Sequence, residues 1–321
     1  MGVTTGSAGA FLLPRIRRIW YNYRHRHEMK RGKFVYKDIN GLKKMHAFYD
    51  RTLASLGVPF SEKYIDTSFG RTHCLWVGDQ NKPRICTIHG GNGITTLNLK
   101  LYLPLLDKYS IIAPDVIGMP GKSAPYRNID SKKDEYGSWI KQVLDAYNVD
   151  KISFAVSSYS AAMFLSFAKS YPERVDRALL LVPSGIAHGP VLPMIGKMVV
   201  PFLQYYLKPS EKTLDSVIEV MGGKGDALWR EFLDLMMSSY KMEMKPPKEY
   251  TAGELRSFQA PLLVVASEKD IFFPADRVFP KARAVFRGPV TTMKIDSLHL
   301  PSEEVMADVC DRAADFFSSK E

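Results

Sequence analysis

The sequence predicts an α/β fold: a mostly parallel sheet with helices on both faces and an inserted helical cap. Three observations predict it. Short β-branched and apolar runs, typical of buried strands, alternate with segments of helical apolar spacing. A turn of small residues joins one such run directly to a helix within residues 151–171. The alternation stops at residues 188–256, which are rich in methionine, aromatic residues and proline and carry no strand pattern.

Eight segments carry a strand pattern, and helical patterns lie before, between and after them. The predicted strands are residues 63–66, 71–77, 84–88, 109–115, the run that starts at residue 151, 178–182, 261–266 and 290–295. The predicted helices are residues 43–56, 134–147, 163–171 and 305–317. The first two strands flank a Ser-Phe-Gly turn, which predicts a hairpin. The later strands alternate with helices, which is typical of parallel βαβ units.

The break in the strand pattern predicts the domain organisation. Residues 33–187 and 257–321 are predicted to form the sheet domain, and residues 188–256 a helical cap inserted in it. The methionines and aromatic residues of the cap are predicted either to line an adaptable apolar pocket or to attach the cap to the sheet domain. Residues 1–32 are predicted to be a basic tail.

Positive charge is concentrated at the N-terminus. The chain has a formal net charge of +10, and residues 1–45 hold eleven basic and two acidic residues, a net charge of +9. The rest of the chain is close to neutral, so no nucleic-acid partner is predicted. Residues 11–27 mix aromatic residues with arginines and contain no acid. This pattern fits a solvated tail, an anchor on anionic lipid or an organelle transit peptide, and we favour the first two.

The remaining composition excludes several classes of protein. Cys74, Cys86 and Cys310 are far apart, which gives neither a metal-binding spacing nor a disulfide framework and favours a reducing compartment. The glycines match no nucleotide-binding fingerprint, and no cofactor is predicted. No apolar run is long enough to span a bilayer. We predict a cytoplasmic protein, with peripheral contact to anionic membrane through its N-terminus as an open alternative.

The segment from Lys151 to Tyr171 resembles the nucleophile elbow of the α/β-hydrolase superfamily. A strand enters a sharp turn of small residues, and a helix leaves it. The offsets from both ends of the segment place the nucleophile at Ser158. Val156 and Ser160 stand where the family usually has glycine.

Three further loops resemble the family in the same chain order, and each follows a predicted strand. Residues 89–93 resemble the oxyanion loop, an aspartate at Asp270 resembles the acid, and His299 resembles the histidine. The resemblance implies that His299 takes the proton of Ser158 and that Asp270 orients the imidazole. It implies an oxyanion hole made by the backbone N–H groups of Gly91 and Tyr159. His73 precedes these loops and is predicted to be structural.

The resemblance implies a serine carboxyl-ester hydrolase that acts on a small or medium, largely apolar ester through an acyl-enzyme. A thioesterase, lactonase, iminopeptidase or C–C bond hydrolase would show the same residues. The second hypothesis is a ligand-binding or signalling protein with little or no turnover. It is favoured by the departures at Val156 and Ser160 and by Leu298, which replaces a usual glycine of the family's histidine loop. Because a histidine must be neutral to act as a base, kcat/KM of the enzyme is predicted to fall in acid.

Overall fold

The computed structural model describes residues 32–222 and 225–319. Its strands are β1 (Phe60–Thr67), β2 (Gly70–Val77), β3 (Arg84–Ile88), β4 (Ser110–Pro114), β5 (Ile152–Ser157), β6 (Val175–Leu181), β7 (Leu262–Ala266) and β8 (Val290–Lys294). They form one sheet in the order β1-β2-β4-β3-β5-β6-β7-β8. The tail predicted for residues 1–32 lies outside the described residues except for Gly32.

Helices connect and cover the strands. They are α1 (Ile39–Ser55), α2 (Thr95–Tyr102), α3 (Glu135–Asp145), α4 (Tyr159–Ser170), α5 (Val191–Met194), α6 (Val200–Leu207), α7 (Glu211–Met221), α8 (Ala227–Ser239), α9 (Ala275–Val285) and α10 (Glu303–Ser318). A π-helical turn (Ile195–Val199) joins α5 to α6. Among the described residues, no helix has both the length and the apolarity needed to cross a membrane.

The sheet is antiparallel at one edge and parallel elsewhere. β1 and β2 pair as the predicted hairpin, with Phe60 opposite Val77 and Thr67 opposite Gly70. β2 is antiparallel to β4, and the strands from β4 through β8 run parallel. The predicted fold class is therefore confirmed. Parallel strands end at the same edge, so the loops that follow β3, β5, β7 and β8 can meet there.

Side chains that alternate along each strand build a core on both faces of the sheet. On β5, Phe154 and Val156 belong to one buried apolar cluster, and Ala155 belongs to the other. α3, α4 and α9 contribute to the first cluster, and α1, α2, α8 and α10 contribute to the second. Strands buried on both faces read as continuous apolar runs, which explains the sequence pattern of β4 to β7.

The four helices α5 to α8 lie in the segment predicted as a cap. The rings of Phe232 on α8 and Phe48 on α1 lie 5.8 Å apart between centroids. Met236 and Met237 are buried in the same cluster as α1. These two methionines therefore attach the segment to the rest of the chain, which is the second of the two roles predicted for them.

Candidate active site

Ser158 occupies a strained turn between β5 and α4. Its φ of 55° and ψ of −127° lie in a region that residues with a Cβ rarely adopt, at a cost of about 1–3 kcal/mol. The backbone N–H of Ser158 donates to the carbonyl of Leu181 at 3.0 Å. Its carbonyl accepts from the backbone N–H of Ser184 at 3.2 Å and from the Ser184 hydroxyl at 2.9 Å. The end of β6 and the residues after it therefore hold the strained turn in place.

The hydroxyl groups of the two neighbouring serines, Ser157 and Ser160, form hydrogen bonds with other partners. The Ser160 hydroxyl donates to the Ser157 carbonyl at 2.7 Å and accepts from the Ser157 N–H at 3.0 Å. The Ser157 hydroxyl donates to the side-chain oxygen of Asn98 at 3.2 Å, inside the core. At the position where the family usually has glycine, Ser160 thus closes the turn by hydrogen bonding.

The structure brings Ser158, His299 and Asp270 into one chain of hydrogen bonds. His299 Nε2 lies 3.0 Å from Ser158 Oγ, and His299 Nδ1 lies 3.0 Å from Asp270 Oδ2. A carboxylate can only accept, so Nδ1 carries the proton and the lone pair of Nε2 faces the serine hydroxyl. The other oxygen of Asp270 accepts from the backbone N–H of Phe272 at 2.8 Å.

Aromatic side chains of the acid loop shield the histidine. The rings of Phe272 and Phe273 lie 4.6 and 5.8 Å from the His299 ring between centroids. Asp270 is 1% exposed and His299 is 7% exposed. Few water molecules can therefore compete with Ser158 and Asp270 for the imidazole, and electrostatic interactions inside the site are strengthened.

Hydrogen bonds of His89 fix the glycine loop that follows β3. The N–H of Val116 donates to His89 Nε2 at 3.0 Å, so Nε2 is the unprotonated nitrogen. Nδ1–H then donates to the Gly90 carbonyl at 2.9 Å, and the N–H of Gly93 donates to the same carbonyl at 3.1 Å. In a trans peptide the N–H points opposite to the carbonyl, so the N–H of Gly91 points away from His89.

The glycine loop lies directly against the elbow. A Cβ on Gly90 would lie 3.3 Å from Ser158 Cβ and 3.8 Å from Ser158 Oγ, and a Cβ on Gly91 would lie 2.9 Å from Tyr159 Cβ. Tyr159 is the first residue of α4, where backbone N–H groups have no partner within the helix. The two residues predicted to form an oxyanion hole are thus neighbours of each other and of the serine.

Comparison with known proteins supports the fold. The family model described as alpha/beta hydrolase fold matches residues 83–219. The chain has the α/β-hydrolase fold. Carboxylesterase YbfK of Bacillus subtilis (strain 168) is 23% identical to this chain over 281 residues, which cover 84% of this chain and 91% of the relative.

Two further relatives show the range of the similarity. The structure of naproxen esterase (carboxylesterase NP) from Bacillus subtilis matches with a TM-score of 0.73 and 21% identity, over 85% of this chain and 97% of that one. A 2-hydroxy-6-oxononadienedioate/2-hydroxy-6-oxononatrienedioate hydrolase of Cupriavidus pinatubonensis (strain JMP 134 / LMG 1197) is 27% identical over 230 residues, covering 66% of this chain and 78% of the relative.

A side-chain amide that the sequence did not single out connects the glycine loop to the segment predicted as a cap. Asn92 has a φ of 53°. Its amide nitrogen donates to the Glu243 carbonyl at 2.9 Å, and its amide oxygen accepts from the Glu243 N–H at 2.6 Å. The partner lies 151 residues away, so no local pattern could reveal the contact.

His73 belongs to a hydrogen-bond network separate from that of Ser158. Its Nδ1 lies 2.9 Å from Asp115 Oδ2, and its Nε2 lies 3.1 Å from Glu62 Oε1. Both partners are carboxylates, so each ring nitrogen faces a group that can accept a hydrogen bond. Burial alone would raise the pKa of Asp115, but the hydrogen bond and charge of His73 hold that pKa below its usual value. The network links the hairpin to the residue that follows β4.

A small recess lies beside Tyr159. Its volume of about 10 Å³ is room for roughly one water molecule. Tyr136, Tyr159, Lys248 and Tyr250 are among the residues that line it. Lys248 is held by an ion pair with Glu254 at 2.7 Å, so this wall of the recess is anchored.

We expect the protein to lose stability as the pH falls below about 6.5. Burial lowers the pKa of His89 and of His46 from the ordinary value of 6.5. Below that value the unfolded chain binds more protons than the folded chain, so acid favours unfolding, by at most about 1.4 kcal/mol per pH unit for each imidazole. The stabilisation is complete above the ordinary pKa and declines as the pH falls toward the lower pKa of the fold.

Thermal melts at closely spaced pH values measure this loss. His46 Nε2 lies 3.1 Å from the Gly121 carbonyl, a hydrogen bond that a glutamine side chain can replace. His46→Gln should therefore make the pH dependence shallower. A melting temperature that stays constant from about pH 7 to about pH 5 would contradict the expectation.

Proposed function

We propose that this protein hydrolyses carboxylic esters through an acyl-enzyme, with Ser158 as the nucleophile, His299 as the base and Asp270 as the group that orients His299. The observation that carries the proposal is the continuous hydrogen-bond chain, 3.0 Å from Ser158 Oγ to His299 Nε2 and 3.0 Å from His299 Nδ1 to Asp270 Oδ2. Two relatives that match most of the chain, carboxylesterase YbfK and naproxen esterase, support an ester as the substrate.

The first half-reaction forms the acyl-enzyme. Ser158 Oγ attacks the ester carbonyl carbon while its proton moves to His299 Nε2. Asp270 stabilises the resulting imidazolium. The carbonyl oxygen becomes an oxyanion that accepts from the N–H groups of Gly91 and Tyr159, each worth about 10²–10³ in rate. Collapse of this intermediate breaks the bond to the alkoxy oxygen, which leaves as the alcohol with the proton from His299.

The second half-reaction releases the acid. A water molecule gives a proton to His299 Nε2 and attacks the acyl carbon. The new tetrahedral intermediate places its oxyanion on the same two N–H groups. Its collapse breaks the bond to Ser158 Oγ, which regains the proton from His299.

The strained backbone of Ser158 favours turnover over the alternative of a binding protein. A φ of 55° at a residue with a Cβ costs about 1–3 kcal/mol, and such strain is concentrated at functional sites. Two hydrogen bonds from Ser184 to the Ser158 carbonyl maintain it. A fold that only bound a ligand would have no need of a hydroxyl raised toward an unprotonated imidazole nitrogen.

The proposed substrate is a small or medium ester. The recess beside Tyr159 has room for about one water molecule, and Glu254 holds Lys248 at its wall. An acyl chain that extended from Ser158 past Tyr159 would have to displace these side chains. A series of p-nitrophenyl esters with increasing acyl length tests this point, with the highest kcat/KM expected for the shorter chains.

Stopped-flow mixing with p-nitrophenyl acetate tests the reaction itself. An acyl-enzyme predicts a burst of p-nitrophenol that approaches one equivalent per site, followed by slower steady release when deacylation limits the rate. Parallel assays with a 2-hydroxy-6-oxo-dienoate test hydrolysis of the type of substrate in the name of the Cupriavidus relative. Hydrolysis of the dienoate without hydrolysis of the ester would contradict the proposal that an ester is the substrate. Ligand binding with no product from either substrate would favour the binding protein.

Asn92→Asp should lower kcat/KM about tenfold with little loss of folding. The substitution keeps the shape of the side chain but removes the donor to the Glu243 carbonyl and places a negative charge against it. One buried hydrogen bond and this repulsion together amount to about 1–2 kcal/mol. The glycine loop carries the proposed oxyanion donor Gly91. Without the contact to Glu243, the loop would no longer be held in one position.

Asn148→Asp is the matched control for this variant. Asn148 also has a left-handed backbone, with a φ of 52°, and is exposed near the end of α3. The same substitution there should leave kcat/KM unchanged. Equal activity of Asn92→Asp and the unaltered protein would show that the contact with Glu243 does not position the loop.

A further inference from the structure

Residues 191–207 form a continuous helical run with an apolar side that faces solvent. Large apolar side chains recur at intervals of mostly three or four residues along this side. They are Leu192, Ile195, Val199, Leu203, Tyr206 and Leu207, which we call the outer stripe. Leu192 is 81% exposed and Leu207 is 77% exposed. Contiguous exposed apolar surface is uncommon on soluble proteins and marks a contact with a partner.

A second apolar side of the same run faces the protein. Tyr205 is buried, and Met198 and Phe202 are half-buried. Phe202 packs against the core cluster that includes α1. The inner side is therefore apolar because it packs against the rest of the chain. The outer stripe faces solvent, so packing within the fold does not explain its apolar side chains.

Lysines lie on and beside the helical run that carries the outer stripe. Residues 188–209 contain Lys197 and Lys208 and no acidic residue. The ammonium group of Lys37 lies 4.7 Å from the centroid of the Tyr206 ring. Lys43 and Lys44 are exposed on α1, which begins two residues after Lys37. The described part of the chain starts only five residues before Lys37, so the strongly basic N-terminal sequence joins the fold close to this surface.

These positive charges favour one of the possible binding partners of the outer stripe over the others. A second copy of the chain would bring lysines against lysines, and the basic N-terminal segment would do the same. An anionic lipid surface provides acyl chains for the apolar side chains and phosphates for the lysines, whose long side chains can reach the headgroups. Each basic residue near such a surface contributes about 1 kcal/mol to binding.

We propose that the outer stripe rests on an anionic lipid bilayer, with the helical run 191–207 lying parallel to the membrane plane. The apolar side chains enter the boundary between headgroups and acyl chains, and the lysines contact the phosphates. This placement does not depend on the reaction at Ser158.

Vesicle co-sedimentation of the full-length protein tests the proposal. The vesicles contain phosphatidylcholine and phosphatidylglycerol in a three-to-one ratio, and pure phosphatidylcholine is the uncharged comparison. Leu203→Glu should weaken binding to the anionic vesicles at least tenfold, because it replaces buried apolar area with a charge that the lipid repels. Phe60→Glu is the matched control, since Phe60 is also exposed but lies on β1. It should bind as the unaltered protein does.

A second measurement does not require a variant that binds the vesicles more weakly. Leu203→Trp should show more fluorescence quenching by brominated acyl chains in the same vesicles than the unaltered protein, whose four tryptophans give the baseline, and hydrolysis of a water-soluble ester should be unchanged. Leu203→Glu that binds as well as the unaltered protein, or a tryptophan that brominated lipid does not quench, would overturn the proposal. So would a lipid-free dimer, seen by analytical ultracentrifugation, that Leu203→Glu dissociates, because a second copy would then cover the stripe.

Discussion

Ser158→Ala should lower the turnover of p-nitrophenyl esters about 10⁴–10⁶-fold and abolish labelling by a fluorophosphonate probe. Of the three serines at the elbow, Ser158 is the one whose hydroxyl meets His299 Nε2, at 3.0 Å. The probe forms a covalent bond only with an activated oxygen, and peptide mass spectrometry locates that oxygen. The hydroxyl of Ser158 makes no contribution to the turn itself, which its backbone N–H and carbonyl hold. The variant should therefore fold.

Ser157→Ala and Ser160→Ala are the matched controls, and both should keep the label. The Ser157 hydroxyl is bonded to Asn98 inside the core, and the Ser160 hydroxyl is bonded to the backbone of Ser157. Ser160→Ala removes two hydrogen bonds that close the turn, so it should lose about 1–3 kcal/mol of stability and some activity. An adduct found on Ser160, or unchanged hydrolysis by Ser158→Ala, would overturn the assignment of the nucleophile.

The sequence was informative about the sheet because the strand signal is local. β3 is predicted with the bounds that the structure has, since its last four residues are buried and a glycine-rich loop follows it directly. β1 starts at Phe60, three residues before its prediction. Its first five residues are exposed, so they pair with β2 through the backbone without any apolar alternation.

The start of α1 is determined by its N-cap residue rather than by the spacing of its apolar residues. α1 starts at Ile39, four residues before its prediction at residue 43. The side chain of Asp38 accepts from the N–H of Gly41 at 2.7 Å and fixes this start. An aspartate ahead of the apolar pattern is a readable signal, so this boundary could have been predicted.

In the candidate site, too, the sequence predicts some features and not others. Ser158, Asp270 and His299 each follow a strand, so their positions in the sequence predict that they meet at one edge of the sheet. The contacts of Ser184 with Ser158 and of Asn92 with Glu243 join residues distant in sequence and leave no periodic signal. They depend on how the loops pack, and only the three-dimensional structure provides them.

Asp270→Asn should lower kcat about 10⁴-fold while the fold and the position of His299 are kept. The N–H of Phe272 donates to Asp270 Oδ1 at 2.8 Å, and this bond would hold the oxygen of the new amide. The amide nitrogen must then face His299 Nδ1 in place of Oδ2. An amide nitrogen only donates, so Nδ1 becomes the acceptor and the imidazole proton moves to Nε2. A protonated Nε2 in a neutral ring cannot take the proton of Ser158.

Glu268→Gln is the matched control, because it makes the same change of acid to amide two residues earlier in the chain. Glu268 is exposed and pairs with Lys294 at 3.1 Å, away from the imidazole. Steady-state kinetics should show full activity for this variant, and thermal melts should show that both variants fold. The rate of fluorophosphonate labelling should fall with kcat in Asp270→Asn, since both need an activated Ser158. A kcat within about tenfold of the unaltered protein would mean that Asp270 does not set the tautomer of His299.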